Sequence, residues 1–191
     1  MRVISGKLKG RNILGYSITG TRPTMDRVKE SIFGMIQNYI DKSIVLDLFA
    51  GSGNYGIECI SNGSKEVYFN DYNEKCIKVI KDNLLNMGIL NQCNITNYDY
   101  RKALEYYKKK NIHFDLVFLD PPYKERIINE IIDFLVMNNL MNKNGLIICE
   151  LTNKEICLNK ELTLFKERKY GEKYVLIYKY DNLCQNMLQN E

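Results

Sequence analysis

From residue 44 onward the chain alternates short apolar runs with longer stretches in which apolar residues recur every three or four positions. The short runs predict strands at 44–49, 66–70, 93–97, 114–119 and 145–150, since brief runs of β-forming residues suit strands buried on both faces. The periodic stretches predict helices at about 54–62, 74–87, 100–109 and 125–138. The last of these carries the clearest stripe, formed by Ile127, Ile128, Ile131, Ile132 and Leu135. Such alternation specifies a parallel sheet covered by helices on both faces. Beyond residue 150 the helical spacing fades, and Leu162–Lys166 and Lys173–Tyr180 flank Tyr170-Gly171 as a closing antiparallel hairpin.

The first forty residues follow a different plan. Runs at 2–5 and 11–14 are separated by Gly6-Lys7-Leu8-Lys9-Gly10, which reads as a β-hairpin with a basic tip. A flexible stretch with Gly15 and Gly20 leads to Arg22-Pro23-Thr24. Thr24 is suited to N-cap a helix with Asp26 in its first turn, and Met25, Val28, Ile32, Met35, Ile36 and Tyr39 keep helical spacing. The expected organisation is a basic extension over 1–40, a main domain over 41–181 and a disordered tail over 182–191.

Composition mostly excludes. A chain of 191 residues fits one domain with a real core, and no stretch approaches the ~18 uninterrupted apolar residues of a membrane span. The first residues lack the apolar region of a signal peptide. The six cysteines form no C-x-x-C pair, and with His113 the single histidine, a zinc site of ordinary spacing cannot be assembled. Free thiols in a reducing cytoplasm are expected. Charge says more. Residues 1–30 hold seven basic and two acidic side chains, whereas the other 161 hold 20 and 21. The whole net charge of +4 therefore comes from the N-terminus, a distribution suited to a polyanion.

Two constellations carry chemistry. Ile44–Phe49 is a buried strand running into Ala50-Gly51-Ser52-Gly53-Asn54-Tyr55-Gly56 and a helix. Glycines there allow a tight turn and close approach of a ligand to the backbone beside a helix N-terminus. Gly51, Gly53 and Gly56 fit G-x-G-x-x-G, so a dinucleotide site has to be weighed. Asp47 argues against it: a carboxylate suits a cationic amino-acid group, not a pyrophosphate. Asp71, twenty residues after Gly51, ends the second strand where ribose hydroxyls would be held. Asp99 follows the third strand and could accept from an adenine amino group. Each aspartate alone could be a helix cap or a solvated loop residue. Together they describe an ammonium, a ribose and an adenine without phosphate, which is S-adenosylmethionine.

The second constellation is Asp120-Pro121-Pro122-Tyr123, directly after the strand Phe114–Leu119. Two prolines end the strand, as neither can donate to the ladder. The freed carbonyls, the Asp120 carboxylate and the Tyr123 ring could accept from an amine on a planar ring and stack on that ring. A Pro-rich turn with a core tyrosine is the bland alternative.

With these segments in view, the chain resembles a known family. Val45–Gly53 and Asp120–Tyr123 look like the cofactor and catalytic motifs of class I amino-methyltransferases. Arg2-Val3-Ile4-Ser5-Gly6, Lys9-Gly10-Arg11 and Thr21–Phe33 look like the N-terminal signature of the RsmD-type bacterial enzymes. The match runs from residue 1 to about residue 180. The resemblance implies a Rossmann-like α/β fold with a seven-stranded, mostly parallel sheet, and methylation of N2 of a guanine in 16S ribosomal RNA. It implies a cofactor site at Asp47, at Phe49-Ala50-Gly51-Ser52-Gly53, at Asp71-Tyr72 and at Asp99-Tyr100, with catalysis by Asp120, Pro121, Pro122 and Tyr123. Asn73 departs from relatives that carry a second acid there, so ribose binding rests on Asp71.

Lys7, Lys9, Arg11, Arg22 and Arg27 are expected to hold RNA phosphates, while Lys108-Lys109-Lys110 reads as a solvated helix end. A cytoplasmic monomer without metal is expected, and the family further suggests an assembled or nearly assembled small subunit as the substrate. The D-P-P-Y motif is shared with DNA and RNA enzymes that methylate adenine N6 or cytosine N4, and these are the nearest rivals. A catalytically dead RNA-binding module would leave both motifs unexplained.

Overall fold

The computed structural model describes residues 1–15, 22–121, 126–152 and 159–181, with the side chains of 22–25 and 126 left aside. In chain order the elements are α1 (Arg22–Ile36), β1 (Ile44–Asp47), α2 (Asn54–Ser61), β2 (Glu66–Asn70), α3 (Glu74–Met87) and β3 (Cys93–Thr96). Then come α4 (Tyr100–Lys109), β4 (Phe114–Leu119), α5 (Arg126–Met137), β5 (Met141–Leu151), β6 (Leu162–Tyr170) and β7 (Lys173–Tyr180). The seven strands form one sheet in the order β3-β2-β1-β4-β5-β7-β6. β1 to β5 pair in parallel, and β7 pairs antiparallel with both β5 and β6. The expected fold is the observed one.

Alternation along the strands sorts their side chains into two cores. Val45, Phe69, Phe118, Ile148 and Ile177 point to the face covered by α1, α2, α3 and the N-terminal residues. Leu46, Val117, Leu119, Ile147 and Leu176 point to the face covered by α4 and α5. The isoleucine stripe of α5 is buried there, with Ile131, Ile132 and Leu135 fully closed off. Helix α2 lies unusually near the sheet because residue 56 is glycine: a Cβ would stand 2.2 Å from Phe69 Cε1. That close approach sets the position of the loop preceding the helix.

The N-terminal residues form the expected hairpin in short form: the Val3 and Ile13 N–H groups donate to the Arg11 and Met1 carbonyls and the Gly10 N–H to the Val3 carbonyl, each at 2.9 Å. Arg2 and Asn12 form an isolated antiparallel bridge, and Gly6–Leu8 is a 3-10 turn. Side chains of α2 fasten this hairpin to the domain. Glu58 accepts from the Ile4 and Ser5 backbone N–H groups at 3.0 and 2.8 Å, and Ser61 Oγ accepts from the Leu8 N–H at 2.9 Å. Glu58 is itself fully buried and pairs with Lys29 at 3.0 Å. Lys29 also donates to the Arg2 carbonyl at 2.7 Å and to Asn54 Oδ1 at 2.9 Å. Lys29 therefore leaves the basic surface that the charge tally assigned to residues 1–30. Helix α1 starts at Arg22, two residues before the expected Thr24 cap. The expected tail at 182–191 lies outside the described residues.

Candidate active site

The strand order reverses direction between β1 and β4, so their carboxyl ends open a crevice of the kind in which α/β sheets hold ligands. Asp47 ends β1, Asp71 follows β2, Asp99 follows β3 and Asp120 follows β4. By parity, Asp47, Asp71 and Asp120 continue the rows of Val45, Phe69 and Phe118, on the α2 side of the sheet.

The loop from β1 to α2 is shaped for this position. Gly53 sits at φ 80°, a conformation in which a side chain is strained, and N-caps α2. The Gly51 N–H donates to Asp71 Oδ2 and the Asn73 N–H to Asp71 Oδ1, both at 2.9 Å. Each Asp71 oxygen thus keeps a lone pair for a ligand while the carboxylate is fixed from behind. Asp47 is 2 % exposed and takes one backbone bond, from the Gly56 N–H at 3.1 Å. Its carboxyl is pushed up to about 7, chiefly by burial; the Gly56 bond opposes that rise, and the nearby Asp120 and Asp71 charges add to it. The three carboxylates therefore share one electrostatic site. A cation bound among them would relieve their repulsion.

Asp120 reaches solvent along one edge, yet protein surrounds it closely enough that desolvation raises its carboxyl above the ordinary value. The Lys173 ammonium works in the opposite direction. Pro121 is half-buried, whereas Pro122 and Tyr123 fall outside the described residues. Asp99 is exposed and N-caps α4, accepting from the Arg101 N–H at 3.0 Å, so one of its oxygens has a structural duty. Tyr100 is buried, packs 6.0 Å from Phe49 and donates to Glu130, which makes it a wall and not a free recognition group. Tyr72 is 67 % exposed at the lip.

Several residues escaped sequence reasoning. Buried Asn70 donates to the Leu48 and Tyr98 carbonyls at 3.2 and 3.0 Å and accepts from Thr96, tying together the ends of β1, β2 and β3. Its signal was an amide at the end of a β-rich run. Asn83 of α3 donates to the Ser52 and Leu14 carbonyls at 3.0 and 2.9 Å and accepts from the Leu14 N–H at 2.8 Å. The glycine loop and the N-terminal residues are thus fastened to one amide. Tyr55, Glu150 and Lys173 form a further group beside Asp120.

Of the expected RNA-binding residues, Lys7 and Arg11 lie away from the crevice. Lys7 donates to Gln92, just before β3, and Arg11 donates to the Asn86 carbonyl at the end of α3, at 3.2 and 2.6 Å. These positions lie at the strands' amino-terminal side. Since α3 starts beside Asp71 and runs 14 residues, Arg11 is about 20 Å from the crevice at 1.5 Å rise per residue. Lys9 and Arg27 are exposed, and the Arg22 side chain is not among those described. Among the described residues no group of three His, Cys, Asp or Glu is arranged to hold a metal, and no helix is long and apolar enough to cross a membrane.

This geometry is matched by known proteins. The family model "Conserved hypothetical protein 95" matches residues 1–179. A Bacillus subtilis (strain 168) protein, YlbH, described as a candidate rRNA methyltransferase, is 38 % identical over 94 % of this chain and 98 % of its own. The Ribosomal RNA small subunit methyltransferase D of Haemophilus influenzae is 35 % identical over 90 % of this chain and 89 % of its own. A crystal structure from Haemophilus influenzae, described as a candidate methylase, is 32 % identical and superposes with a TM-score of 0.79, covering 95 % of this chain and 98 % of that one. The chain belongs to the conserved hypothetical protein 95 family and is a methyltransferase of Rossmann-like fold.

Proposed function

We propose that the protein transfers the methyl group of S-adenosylmethionine to the exocyclic N2 amine of a guanine in small-subunit (16S) ribosomal RNA. The observation that carries this reading is the placement of Asp47, Asp71 and Asp120 at the carboxyl ends of the neighbouring strands β1, β2 and β4. Three carboxylates suit a ligand with an ammonium, a sulfonium and ribose hydroxyls, and they repel a dinucleotide pyrophosphate. The similarity to the small subunit methyltransferase D of Haemophilus influenzae supports the RNA class.

Asp47 would face the amino-acid ammonium, Asp71 the ribose hydroxyls and the free oxygen of Asp99 the adenine amine. The glycine loop Phe49–Gly53 would lie under the amino-acid moiety, with Tyr72 and Tyr100 as walls. When bound there, the cofactor would supply an electrophilic methyl, and its sulfur would keep the electron pair of the carbon–sulfur bond given up to the amine nitrogen. Asp120 and the Pro121 carbonyl accept the two amine N–H groups, making the nitrogen lone pair available. Tyr123, after Pro122, would stack on the base. Placing amine and methyl near ~3–3.5 Å supplies much of the acceleration by orientation. The methylated nitrogen is acidic, so its extra proton leaves to water without a strong base.

A paired guanine cannot enter, so the target must be unpaired or flipped out, at about a few kcal/mol. Lys7, Lys9 and Arg11 would grip phosphates about 20 Å away along α3, and Arg22 and Arg27 would do so from α1. Such contacts set register and not sequence. In this reading residues 1–40 are the RNA-binding extension of a catalytic unit spanning 41–181. The protein acts as a cytoplasmic monomer on a nearly assembled small subunit. Incubation of small subunits, naked rRNA and DNA with methyl-labelled cofactor, followed by nucleoside analysis, tests it. Label in N2-methylguanosine from the subunit is expected; label in adenine or cytosine would replace this reading with an N6 or N4 one.

A further inference from the structure

Four residues distant in sequence meet beside the crevice. Leu119 of β4 pairs with Cys149 of β5, so Asp120 and Glu150 stand next to each other in the following row. Glu150 pairs with Val175 of β7, and Lys173 projects on the same side two residues away. Lys173 Nζ lies 3.3 Å from Glu150 Oε2. The Tyr55 hydroxyl of α2 donates to the other Glu150 oxygen. The Tyr55 ring stacks on Phe118 at 5.1 Å and 7°, which fixes the tyrosine against the strand that ends in Asp120. Glu150 itself is 9 % exposed. A buried carboxylate, held on one oxygen by a locked tyrosine and on the other by a lysine, is a costly feature. Neither the cofactor site nor the fold of the sheet requires it.

We infer that Lys173 is a positioning residue of the methyl-transfer site: its ammonium, tethered by Glu150 and Tyr55, keeps Asp120 in the ionised form that accepts the target amine. This deepens the reading given above and rests on it. The charged and titratable groups facing Asp120, among the described residues, are Asp47 of β1, Glu150 of β5, Tyr55 of α2 and Lys173 of β7. The surrounding protein favours protonation of Asp120, and Lys173 is the opposing charge. Lys173 responds in turn: desolvation lowers its affinity for a proton, but Glu150 and Asp120 more than offset that. A protonated Asp120 would carry a hydroxyl where the amine needs an acceptor, and the step would stall.

The test is the pH dependence of the single-turnover methylation rate on small-subunit rRNA at saturating cofactor, in wild type, Lys173→Met, Lys173→Arg and Glu150→Gln. Loss of the cation should move the acid limb of Lys173→Met up by about half a unit to one unit, the low end of the effect of a neighbouring cation because Lys173 is half-exposed. Lys173→Arg should keep the wild-type limb. Glu150→Gln frees the ammonium for Asp120 and removes a negative charge, so its limb should move down. Superposed limbs in all four proteins would overturn the proposal, even with lowered rates, because a purely structural lysine changes amplitude and not ionisation. Should Lys173→Met not fold, the Glu150→Gln limb decides alone, and an unshifted one overturns it. Wild type inactive on every RNA would instead strike the functional reading.

Discussion

The two faces of the sheet are built on different terms. Under α4 and α5 the core is closed by aliphatic residues and by edge-on aromatic contacts among Tyr68, Tyr107 and Phe114 at 5.5–5.7 Å. Under α1, α2 and α3 the same sheet buries Lys29, Glu58, Asp47, Asn83 and Asp71. One face follows from burying apolar area at roughly 25 cal/mol per Å². The other accepts desolvated charges, which cost stability unless each finds partners. Stability is supplied mainly from one side, and chemistry and attachment of the N-terminal residues from the other.

The sharpest break in this comparison is at Asp120. Asp120→Ala should lower the rate of methyl transfer by about a thousandfold or more, the scale on which removal of a positioned catalytic group acts. Cofactor affinity, measured by titration calorimetry, should stay within a few-fold, because Asp47 and Asp71 remain. A variant with full activity would remove Asp120 from the mechanism.

Next comes the anchor. Glu58→Ala strands the Lys29 ammonium without its partner at 0 % exposure, and breaking a buried pair typically costs about 3–5 kcal/mol. The same change frees the Ile4 and Ser5 N–H groups. Ile131→Ala on the opposite face should cost about 2–5 kcal/mol through its cavity. Denaturant melts would give similar losses for the two, but RNA affinity of the folded fraction should fall only in Glu58→Ala. Equal RNA affinity in both would mean that the first residues hold RNA without their tether.

The sequence foretold the two faces unequally. Runs such as Glu66–Asn70 and Phe114–Leu119, and the helix Glu74–Met87, match residue for residue, since their partners are simply any apolar surface. The aspartates at strand ends were legible because a strand's carboxyl end is a fixed place in this architecture. Illegible features depend on one partner far along the chain. A lysine in the stripe of α1 gives no sign that Glu58 will accept it. The hairpin expected at 2–14 forms, but nothing in its sequence shows that Glu58 and Ser61 of α2 will hold it. Glu150 and Lys173 join Asp120 only through the register of three strands.

Asp47 connects the two themes through pH. Its folded-state carboxyl is raised to about 7, well above its unfolded value. The folded protein therefore binds the extra proton between the two values, and this contribution is present at low pH and lost as pH rises through about 7. Asp47→Asn should consequently stabilise the cofactor-free protein relative to wild type, with a Tm difference that grows from pH 5 to pH 8. Wild-type affinity for S-adenosylmethionine should rise over the same window as Asp47 ionises to meet the cation. A flat affinity would mean that no positive group sits against Asp47.

The smallest expected effect concerns the residues farthest from the chemistry. Lys7→Glu together with Lys9→Glu should weaken RNA binding several-fold and leave the single-turnover rate of bound RNA unchanged. If both side chains neutralise phosphates, the slope of log K against log salt should flatten by about 0.7–0.9 for each phosphate no longer neutralised. The turnover measurement matters because these lysines stand about 20 Å from the crevice, beyond the ~8–10 Å over which salt screens exposed charges. Charge reversal there can shift how the RNA is held but not the ionisation of Asp120. A change in the acid limb of the rate would mean the basic turn approaches the crevice when RNA is bound, and the separation of duties along α3 would then fail.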